Sequence, residues 1–494
     1  MKDCLDFGDA RHRQRSQEVQ LQYSPNVVWL ASVCLTFLLL AVPLTGSASV
    51  GNEGIPILWD TAWILPLADQ TTIDTYLTTR ANQGFDGILV GFANWGMQTS
   101  TLGNGQKLFL ADRPFSGMLI GDASQPNAPG FRYLDYIAQK AASLGLHAAF
   151  LPMSNGGSDT YVFFLGDATR AYNYGFYVGS RYRTFSNIIW VLGGDVSSPS
   201  SWPTLASLSA SFKNGLRAAG ALQKVTFHPG MVLTSPPSTG SSTDWFPPDG
   251  QWLDFNMVQA GGNDPKTAVA ASYGLGKPIG LGEGLYEGMP GWTELFSRTQ
   301  IYNAFLSGAA YATYGAIVFN GGPVIGGACC GSYGNLSTPA ATQAVIAKNL
   351  VISRGWQRYS ADETFISSHS GSKTAMIKGA SAAMIYLATS GSSATVNMAR
   401  LNALGNVTVK RFNPADGTTA SIGTYPASGT QTFTTGGLAD AVILLDASAP
   451  AYPSSSPAFS PYGSLSSTRA PARRHHRRSS RQVRCAVHRR TERN

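Results

Sequence analysis

Eight short apolar segments recur along residues 55–320, and this recurrence constrains the fold more than any other feature of the chain. The segments are rich in β-branched and aromatic residues, and the longer stretches between them have helical spacing. Parallel strands need such long crossovers, and eight strand–helix units of this size match a (β/α)₈ barrel of about 250 residues. We therefore predict an α/β fold whose main domain, residues 54–345, is a (β/α)₈ TIM barrel. The predicted strands are 57–63, 87–92, 148–153, 188–194, 225–227, 253–258, 278–281 and 315–319.

Segments between the predicted strands carry helix signals. Within residues 202–220, apolar residues recur at steps of three and four, and Gly220 marks the end of the helix. The segment 134–145 repeats this pattern. Residues 96–130 are rich in Gly, Ser, Pro and Asn, which predicts a long loop over the carboxyl-end face of the barrel.

A second domain and a tail follow the barrel. Residues 360–448 contain short alternating strands joined by Gly and Ser turns, which predicts a small antiparallel β-sandwich. Residues 449–494 form a Pro/Ser linker and an Arg-rich tail that is too poor in apolar residues to fold. Residues 469–494 hold ten Arg and one Glu and therefore carry a charge of +9. Because the whole chain has a net charge of +8, the remaining residues carry −1. We expect no nucleic-acid partner; the tail is either solvated or cleaved, or it contacts acidic polysaccharide or membrane.

An uncharged apolar segment near the start indicates export. Residues 27–44 follow a 26-residue leader, and the small residues Gly46 and Ala48 come next. Residues 27–48 are therefore either a cleaved signal peptide or, at close to the minimum length for a membrane span, a type II membrane anchor. Both alternatives predict a protein that is extracellular or held at the cell surface. A charged fraction of 13%, against about 25% in average soluble proteins, is typical of extracellular carbohydrate-active proteins.

The cysteines and histidines show no metal-ligand spacing, so we predict neither a metal nor a cofactor. In the body of the chain only Cys329 and Cys330 occur. They form a vicinal disulfide, remain reduced, or pair with another chain. The sequence leaves the oligomeric state open.

Two carboxylates end predicted strands and are the candidate catalytic residues. Asp195 follows the fourth strand and Glu283 closes the seventh, so both lie at the carboxyl end where α/β barrels carry their active sites. Hydrolysis of a glycosidic bond requires two facing carboxylates, one acidic and one attacking the sugar or activating water. A structural alternative makes Asp195 a helix N-cap and Glu283 a salt-bridged rim residue. Glu287 competes with Glu283 for the nucleophile role, but it lies beyond the strand.

Other strand ends carry amide, acidic and aromatic side chains, a composition suited to sugar recognition. Aromatic faces stack on the apolar faces of sugars, while amides and acids bind hydroxyl groups. Packing or turn roles are the alternative for each of them; His228, which precedes Pro229, is equally a turn histidine. The candidate substrate-binding residues are Asp60, Trp63, Asn94, Trp95, His228, Asn256, Gln259, Tyr286 and Glu287.

Several ordered motifs resemble one family, the apiosidase-like glycoside hydrolases. The similarity spans residues 54–320. Downstream, residues 411–417 and 439–445 resemble the small β-sandwich attached to that barrel, a collagen-binding-like domain. The barrel motifs are Asp60-Thr61-Ala62-Trp63, Asn82-Gln83-Gly84-Phe85, 189–195, Thr226-Phe227-His228-Pro229, 253–259, and 277–283 with Tyr286 and Glu287.

This resemblance implies a retaining glycosidase acting on plant cell-wall polysaccharide, specifically on apiose-linked side chains of pectin. It assigns the acid/base role to Asp195 and the nucleophile role to Glu283. Asp195 must then hold its proton, and hydrogen bonds from Tyr286 or His228 would keep Glu283 ionised. The alternative function is that of a non-catalytic extracellular adhesin that binds glycans or matrix protein through the same two domains.

Overall fold

A computed structural model of the chain describes residues 57–93, 101–154, 158–196, 202–230, 253–260, 264–273, 275–284, 286–288, 291–316 and 336–449. The leader, the apolar segment 27–44, the pair Cys329 and Cys330, and the Arg-rich tail lie outside these residues. Within the described ranges, no helix is both long and apolar enough to cross a membrane.

Eight parallel strands form the main sheet, as the sequence predicts. Their order is β7-β6-β5-β2-β1-β10-β9-β8, so that barrel strands one to eight are β1, β2 and β5 to β10. The described strands of this domain, which include a hairpin, are β1 Ile57–Thr61, β2 Gly87–Ala93, β3 Asp112–Phe115, β4 Met118–Gly121, β5 His147–Ser154, β6 Ile188–Val196, β7 Val225–Pro229, β8 Asn256–Gln259, β9 Ile279–Glu283 and β10 Tyr311–Tyr314.

The barrel closes between β7 and β8 without a regular ladder. The backbone N–H of Asp254 donates to the carbonyl of Val225 at 2.8 Å, and the carboxylate of Asp254 accepts from the N–H of Val225 at 2.7 Å. Thr226 Oγ1 donates to the carbonyl of Phe255 at 2.7 Å. These bonds satisfy polar groups that a sheet edge would leave unpaired.

Helices cover the barrel from outside. In the helix Trp202–Ala218, Leu205, Leu208, Phe212 and Leu216 are buried as predicted, and Gly220 follows with a φ of +79°. The predicted second helix exists but begins at residue 128 instead of 134. The helices are α1 Gln70–Gln83, α2 Ala128–Ser143, α3 Ser158–Leu165, α4 Ala168–Tyr182, α5 Trp202–Ala218, α6 Pro265–Ser272, α7 Glu294–Leu306 and α8 Pro339–Ser353.

Two sequence predictions within the barrel were wrong. The eighth strand is Tyr311–Tyr314 and begins earlier than the predicted 315–319, of which residues 317–319 lie outside the described ones. Gly308, with a φ of +101°, turns the chain soon after α7, and the strand begins three residues later. The ring of Tyr311 then occupies the space that a side chain on Gly280 of β9 would need. Within the predicted loop 96–130, β3 and β4 form a hairpin whose turn residues both have positive φ, 49° and 77°.

The second domain is an antiparallel sandwich, as predicted. Its sheets have the orders β11-β13-β14-β19-β16-β17 and β12-β15-β18. Odd-numbered residues of β19, such as Ile443 and Leu445, pack inside the sandwich, whereas Val442 and Leu444 pack toward the barrel. Its strands are β11 Ser360–Ala361, β12 Ile366–Ser370, β13 Lys373–Lys378, β14 Ala382–Leu387, β15 Ser393–Asn397, β16 Asn406–Phe412, β17 Thr419–Pro426, β18 Thr430–Thr434 and β19 Ala441–Ser448.

A buried ion pair joins the two domains. The guanidinium of Arg298 on α7 donates to both carboxylate oxygens of Asp440 at 2.7 to 3.2 Å. Tyr386 donates to the same carboxylate at 2.8 Å, and its ring stacks on Tyr302 with centroids 4.8 Å apart. Because the charges are buried but fully paired, the contact fixes how the sandwich packs on α7.

Candidate active site

Glu283 lies at the carboxyl end of β9, the seventh barrel strand, and only 9% of its surface is exposed. The register between β8 and β9 shifts here: Val258 pairs with Leu281, but Gln259 pairs with Glu283. Gly282 is therefore the extra residue of a β-bulge. Bulges at strand ends re-aim the following side chain, and this one brings the Glu283 carboxylate beside Gln259.

Polar side chains from other strand ends converge on both oxygens of this carboxylate. Oε2 accepts a hydrogen bond from Gln259 Nε2 at 2.7 Å and lies 3.2 Å from Nε2 of His228. Oε1 accepts a hydrogen bond from the hydroxyl of Tyr286. Donors of this kind stabilise the ionised form of a carboxylate and hold it in one orientation. The contact expected between Tyr286 and Glu283 is present.

Trp63 completes the cluster from the end of β1. Its indole Nε1 donates to the Tyr286 hydroxyl at 2.8 Å, and its ring packs edge-on against His228 with centroids 5.6 Å apart. The structure therefore brings together Glu283 and four of the predicted substrate-binding residues, from barrel strands one, five, six and seven. Each of these four contacts either Glu283 or a neighbour of Glu283.

Asp195 lies in β6, the fourth barrel strand, at a second bulge. Gly193 pairs with His228, but the next pair joins Val196 to Pro229, so β6 carries two extra residues. Gly193 and Gly194 have φ values of +82° and +114°, which side chains rarely adopt. The backbone thus places position 195 at the same end of the barrel as Glu283. The Asp195 side chain lies outside the described part of the structure.

Asp60 does not reach the site surface. Its carboxylate is completely buried and is bound by Arg80 Nε at 2.5 Å and by the hydroxyl of Tyr76. Burial raises the pKa of the Asp60 carboxyl, and the Arg80 guanidinium opposes that rise. A group enclosed in this way supports the first strand and is not placed to contact a sugar.

Two further predicted ligands have other partners. Glu287 accepts from the Tyr314 hydroxyl at 2.6 Å and from the N–H of Ala340 in the first turn of α8 at 3.2 Å, so it fixes that helix to the barrel. Asn256 is buried at the first position of β8, three residues below Gln259, which is about 10 Å along a strand. The structure brings neither to Glu283. Asn94 and Trp95 lie outside the described residues.

Arg80 is the supporting residue that the sequence interpretation missed. It lies on the buried face of α1 together with Ile73, Tyr76 and Leu77. A charged residue among the apolar positions of a helix requires a buried partner. The position of Arg80 on this face was therefore a signal for a buried acid, which the structure shows to be Asp60. In the described ranges, no group of three or more His, Cys, Asp or Glu side chains could hold a metal ion.

Comparisons with known proteins identify the family of each domain. A family model described as the apiosidase-like catalytic domain matches residues 50–357. A second model, "putative collagen-binding domain of a collagenase", matches residues 362–446. No curated protein matches the chain.

Solved structures share the two-domain fold. A glycoside hydrolase with 22% identity superimposes with a TM-score of 0.66, covering 82% of this chain and 97% of its own. A family 5 glycoside hydrolase from Bacteroides vulgatus, also 22% identical, has a TM-score of 0.65 and covers 82% and 93%. At these identities, the likeness shows the barrel and sandwich fold.

Proposed function

This chain belongs to the apiosidase-like family of glycoside hydrolases, and on that premise we propose that it cleaves its substrate by a retaining double displacement. The nucleophile is Glu283 and the acid/base is Asp195. One observation carries the assignment: both oxygens of the Glu283 carboxylate contact polar groups from other strand ends. An ionised, oriented carboxylate at this end of the barrel suits attack on an anomeric carbon.

The proposed reaction has two steps. First, a carboxylate oxygen of Glu283 attacks the anomeric carbon, the bond to the leaving oxygen breaks, and Asp195 gives its proton to that oxygen. Then Asp195 takes a proton from water, the water oxygen attacks the same carbon, and Glu283 leaves as a carboxylate. Two inversions at one carbon give net retention of configuration.

The proposed substrate is a plant cell-wall polysaccharide, and apiose-linked side chains of pectin are the first candidates. The family relationship supports this choice. The polar and aromatic groups around Glu283, namely Trp63, His228, Gln259 and Tyr286, are also of the types that bind sugar hydroxyls and faces. Membership of a hydrolase family favours this enzyme over the non-catalytic adhesin.

We further propose that the protein acts outside the cell, either secreted or anchored at the surface. The support is residues 27–44, whose apolar composition is typical of an export signal or anchor. Sequencing the N-terminus of the mature protein separates the alternatives, because cleavage near Ala48 indicates secretion and an intact leader indicates an anchor. Recovery of the protein only from the cytoplasm would contradict both.

Product stereochemistry tests the function. The full-length protein is incubated with apiose-containing pectic oligosaccharides, and proton NMR follows the first anomeric signals released. We expect a product with the substrate's configuration, and no product from Glu283→Gln. Inversion would contradict the double displacement, and binding without turnover would favour the adhesin.

A further inference from the structure

A groove of about 510 Å³ lies between α8 and the outer face of the six-stranded sheet. We call it the α8 groove. One wall is a single face of α8, and the other wall comes from β16, β17 and β19. Its volume falls within the roughly 300–1,000 Å³ of small-molecule sites, and domain junctions are common places for such sites. The helix wall consists of Ile346, Asn349, Leu350 and Ser353 of α8 and of Arg354, the residue that follows the helix.

The groove is bounded at both ends by contacts between the domains. At one end, Gly417 approaches α8 so closely that an added Cβ would lie 3.6 Å from Ile346. At the other end, Arg354 donates to both carboxylate oxygens of Asp446 and to the hydroxyl of Tyr359. These contacts hold the two walls in place.

The α8 groove lies far from the catalytic residues. The adjacent Lys348 of α8 binds the carboxylate of Asp86 at 3.0 Å and the carbonyl of Gly84, both just before the start of β2. This part of α8 therefore lies at the amino end of the barrel strands, whereas Glu283 lies at their carboxyl end. A ligand in the groove would not compete for the catalytic site.

Uncompensated positive charge marks the α8 groove. Lys410 of β16 is exposed, and its ammonium group has no ion-pair or hydrogen-bond partner in the described part of the chain. The Nε–H of Arg354 is buried and also lacks an acceptor there. Because Arg354 and Asp446 form an ion pair and neutralise each other, Lys410 gives the groove one net positive charge. A carboxylate is the complementary group.

The remaining lining suits the rest of a sugar ring. Phe412 lies on the same side of β16 as Lys410, and together with Leu350 and Leu444 it gives an apolar floor, each 6–7% exposed. The exposed side chains of Asn349 and Thr419 flank this floor and can bind hydroxyl groups. We propose that the α8 groove is a second, non-catalytic binding site for saccharides that contain uronic acid.

This site would hold the enzyme on an acidic polysaccharide while the barrel cleaves elsewhere. The α8 groove contains none of the residues around Asp195 and Glu283. Binding in the groove and cleavage in the barrel can therefore be lost separately.

Calorimetric titration of the full-length protein tests the inference. The protein carries Glu283→Gln to prevent turnover, and the probes are trigalacturonic acid and the neutral trisaccharide of galactose. We expect the acidic probe to bind at least tenfold more tightly, with an affinity that falls as salt rises. Lys410→Gln should weaken it at least fivefold, and Asn349→Trp, which fills the groove from the exposed helix face, should abolish it.

The matched control is Lys378→Gln, which removes a lysine of the same sandwich outside the groove and should leave binding unchanged. All three groove and control variants should keep the wild-type rate when introduced without Glu283→Gln. Equal affinity for the two probes, or unchanged binding in Lys410→Gln, would overturn the proposal. Equal losses in Lys410→Gln and Lys378→Gln would also overturn it, because they would indicate general charge attraction.

Discussion

The indole Nε1 of Trp63 donates a 2.8 Å hydrogen bond to the Tyr286 hydroxyl, which itself donates to Oε1 of Glu283. An indole N–H can only donate, so the Tyr286 oxygen must accept from it. The hydroxyl proton is then free to point toward the carboxylate. Trp63 thus acts on Glu283 through Tyr286, as a positioning residue at the end of the first strand.

Tyr286→Phe should lower kcat/KM by about 10- to 150-fold. A hydrogen bond to a charged group contributes about 1.5–3 kcal/mol, and each 1.36 kcal/mol corresponds to a factor of ten in rate. The acidic limb of the pH profile should move to higher pH, because ionised Glu283 loses a donor. The matched control is Tyr302→Phe, since the Tyr302 hydroxyl has no partner in the described residues. Equal effects of the two variants would refute the role of Tyr286.

Trp63→Phe should act in the same direction but less strongly, because an aromatic ring remains at the position and Tyr286 keeps its own hydrogen bond to Glu283 while it loses the indole N–H. Combined with Tyr286→Phe, it should add little further loss in kcat/KM, since both variants break one chain of hydrogen bonds. Full additivity of the two free-energy changes would show that Trp63 acts independently, for example by stacking on the sugar.

Gly315→Ala should reduce activity more than stability. A Cβ at this position would lie 2.7 Å from Cδ1 of Tyr286 and 2.7 Å from Oγ1 of Thr61, so the Tyr286 ring must shift. We expect about a tenfold fall in kcat/KM, measured together with urea unfolding. Added to Tyr286→Phe, the substitution should cost little more, because the hydroxyl contact is already lost. Unchanged kinetics of Gly315→Ala would contradict the tight placement of the ring.

Arg298→Met should destabilise the folded protein by about 3–5 kcal/mol, because it leaves the buried carboxylate of Asp440 without its partner. Urea denaturation measures the change. Lys107→Met, which breaks an exposed pair with Asp112 at 3.1 Å, is the control and should cost less than about 1 kcal/mol. Similar losses in both variants would mean that the domain contact contributes little.

Acid should weaken another ion pair between the domains, the one that Glu363 of the sandwich makes with Lys266 of α6. Burial alone would raise the pKa of Glu363, but Lys266 at 2.6 Å and Lys373 at 2.5 Å outweigh it, and its pKa is lowered. A carboxyl group whose pKa is lowered by folding stabilises the folded protein at pH values above 4.5, its ordinary pKa. That stabilisation is lost as the pH falls through the folded-state pKa. The stability difference between wild type and Glu363→Gln should therefore be present at pH 6 and shrink below pH 4.5. A difference that does not vary between pH 6 and pH 3 would argue against this ion pair.

The sequence predicted which strand ends meet, but only part of how their side chains bond. The period of the apolar segments located the strands that carry Trp63, His228, Gln259 and Glu283, and a closed barrel brings those ends together. The hydrogen bond from Tyr286 to Glu283 was expected from the resemblance, whereas the one from Gln259 was not. That outcome depends on the bulge at Gly282, whose register no single-strand pattern reveals.

Long-range partners explain why the environments of Asp60 and Glu287 differ from that of Glu283. Asp60 and Glu287 lie near the carboxyl ends of strands, as Glu283 does. Arg80 nevertheless binds the Asp60 carboxylate, and Tyr314 and the first turn of α8 bind that of Glu287. Such pairings join residues 20 to 53 positions apart. Local spacing identifies the strand end, but the tertiary partner decides whether a carboxylate there is structural or remains available for chemistry.

Azide rescue of Glu283→Ala tests the central claim most directly. The substrate is an aryl glycoside of the sugar that the wild-type protein releases, and the products are identified by NMR. We predict that activity is lost and that azide restores it, giving a glycosyl azide of inverted configuration, because azide occupies the space of the missing nucleophile. Wild-type turnover by Glu283→Ala, or formation of that inverted azide by Glu287→Ala instead, would contradict the assignment of Glu283.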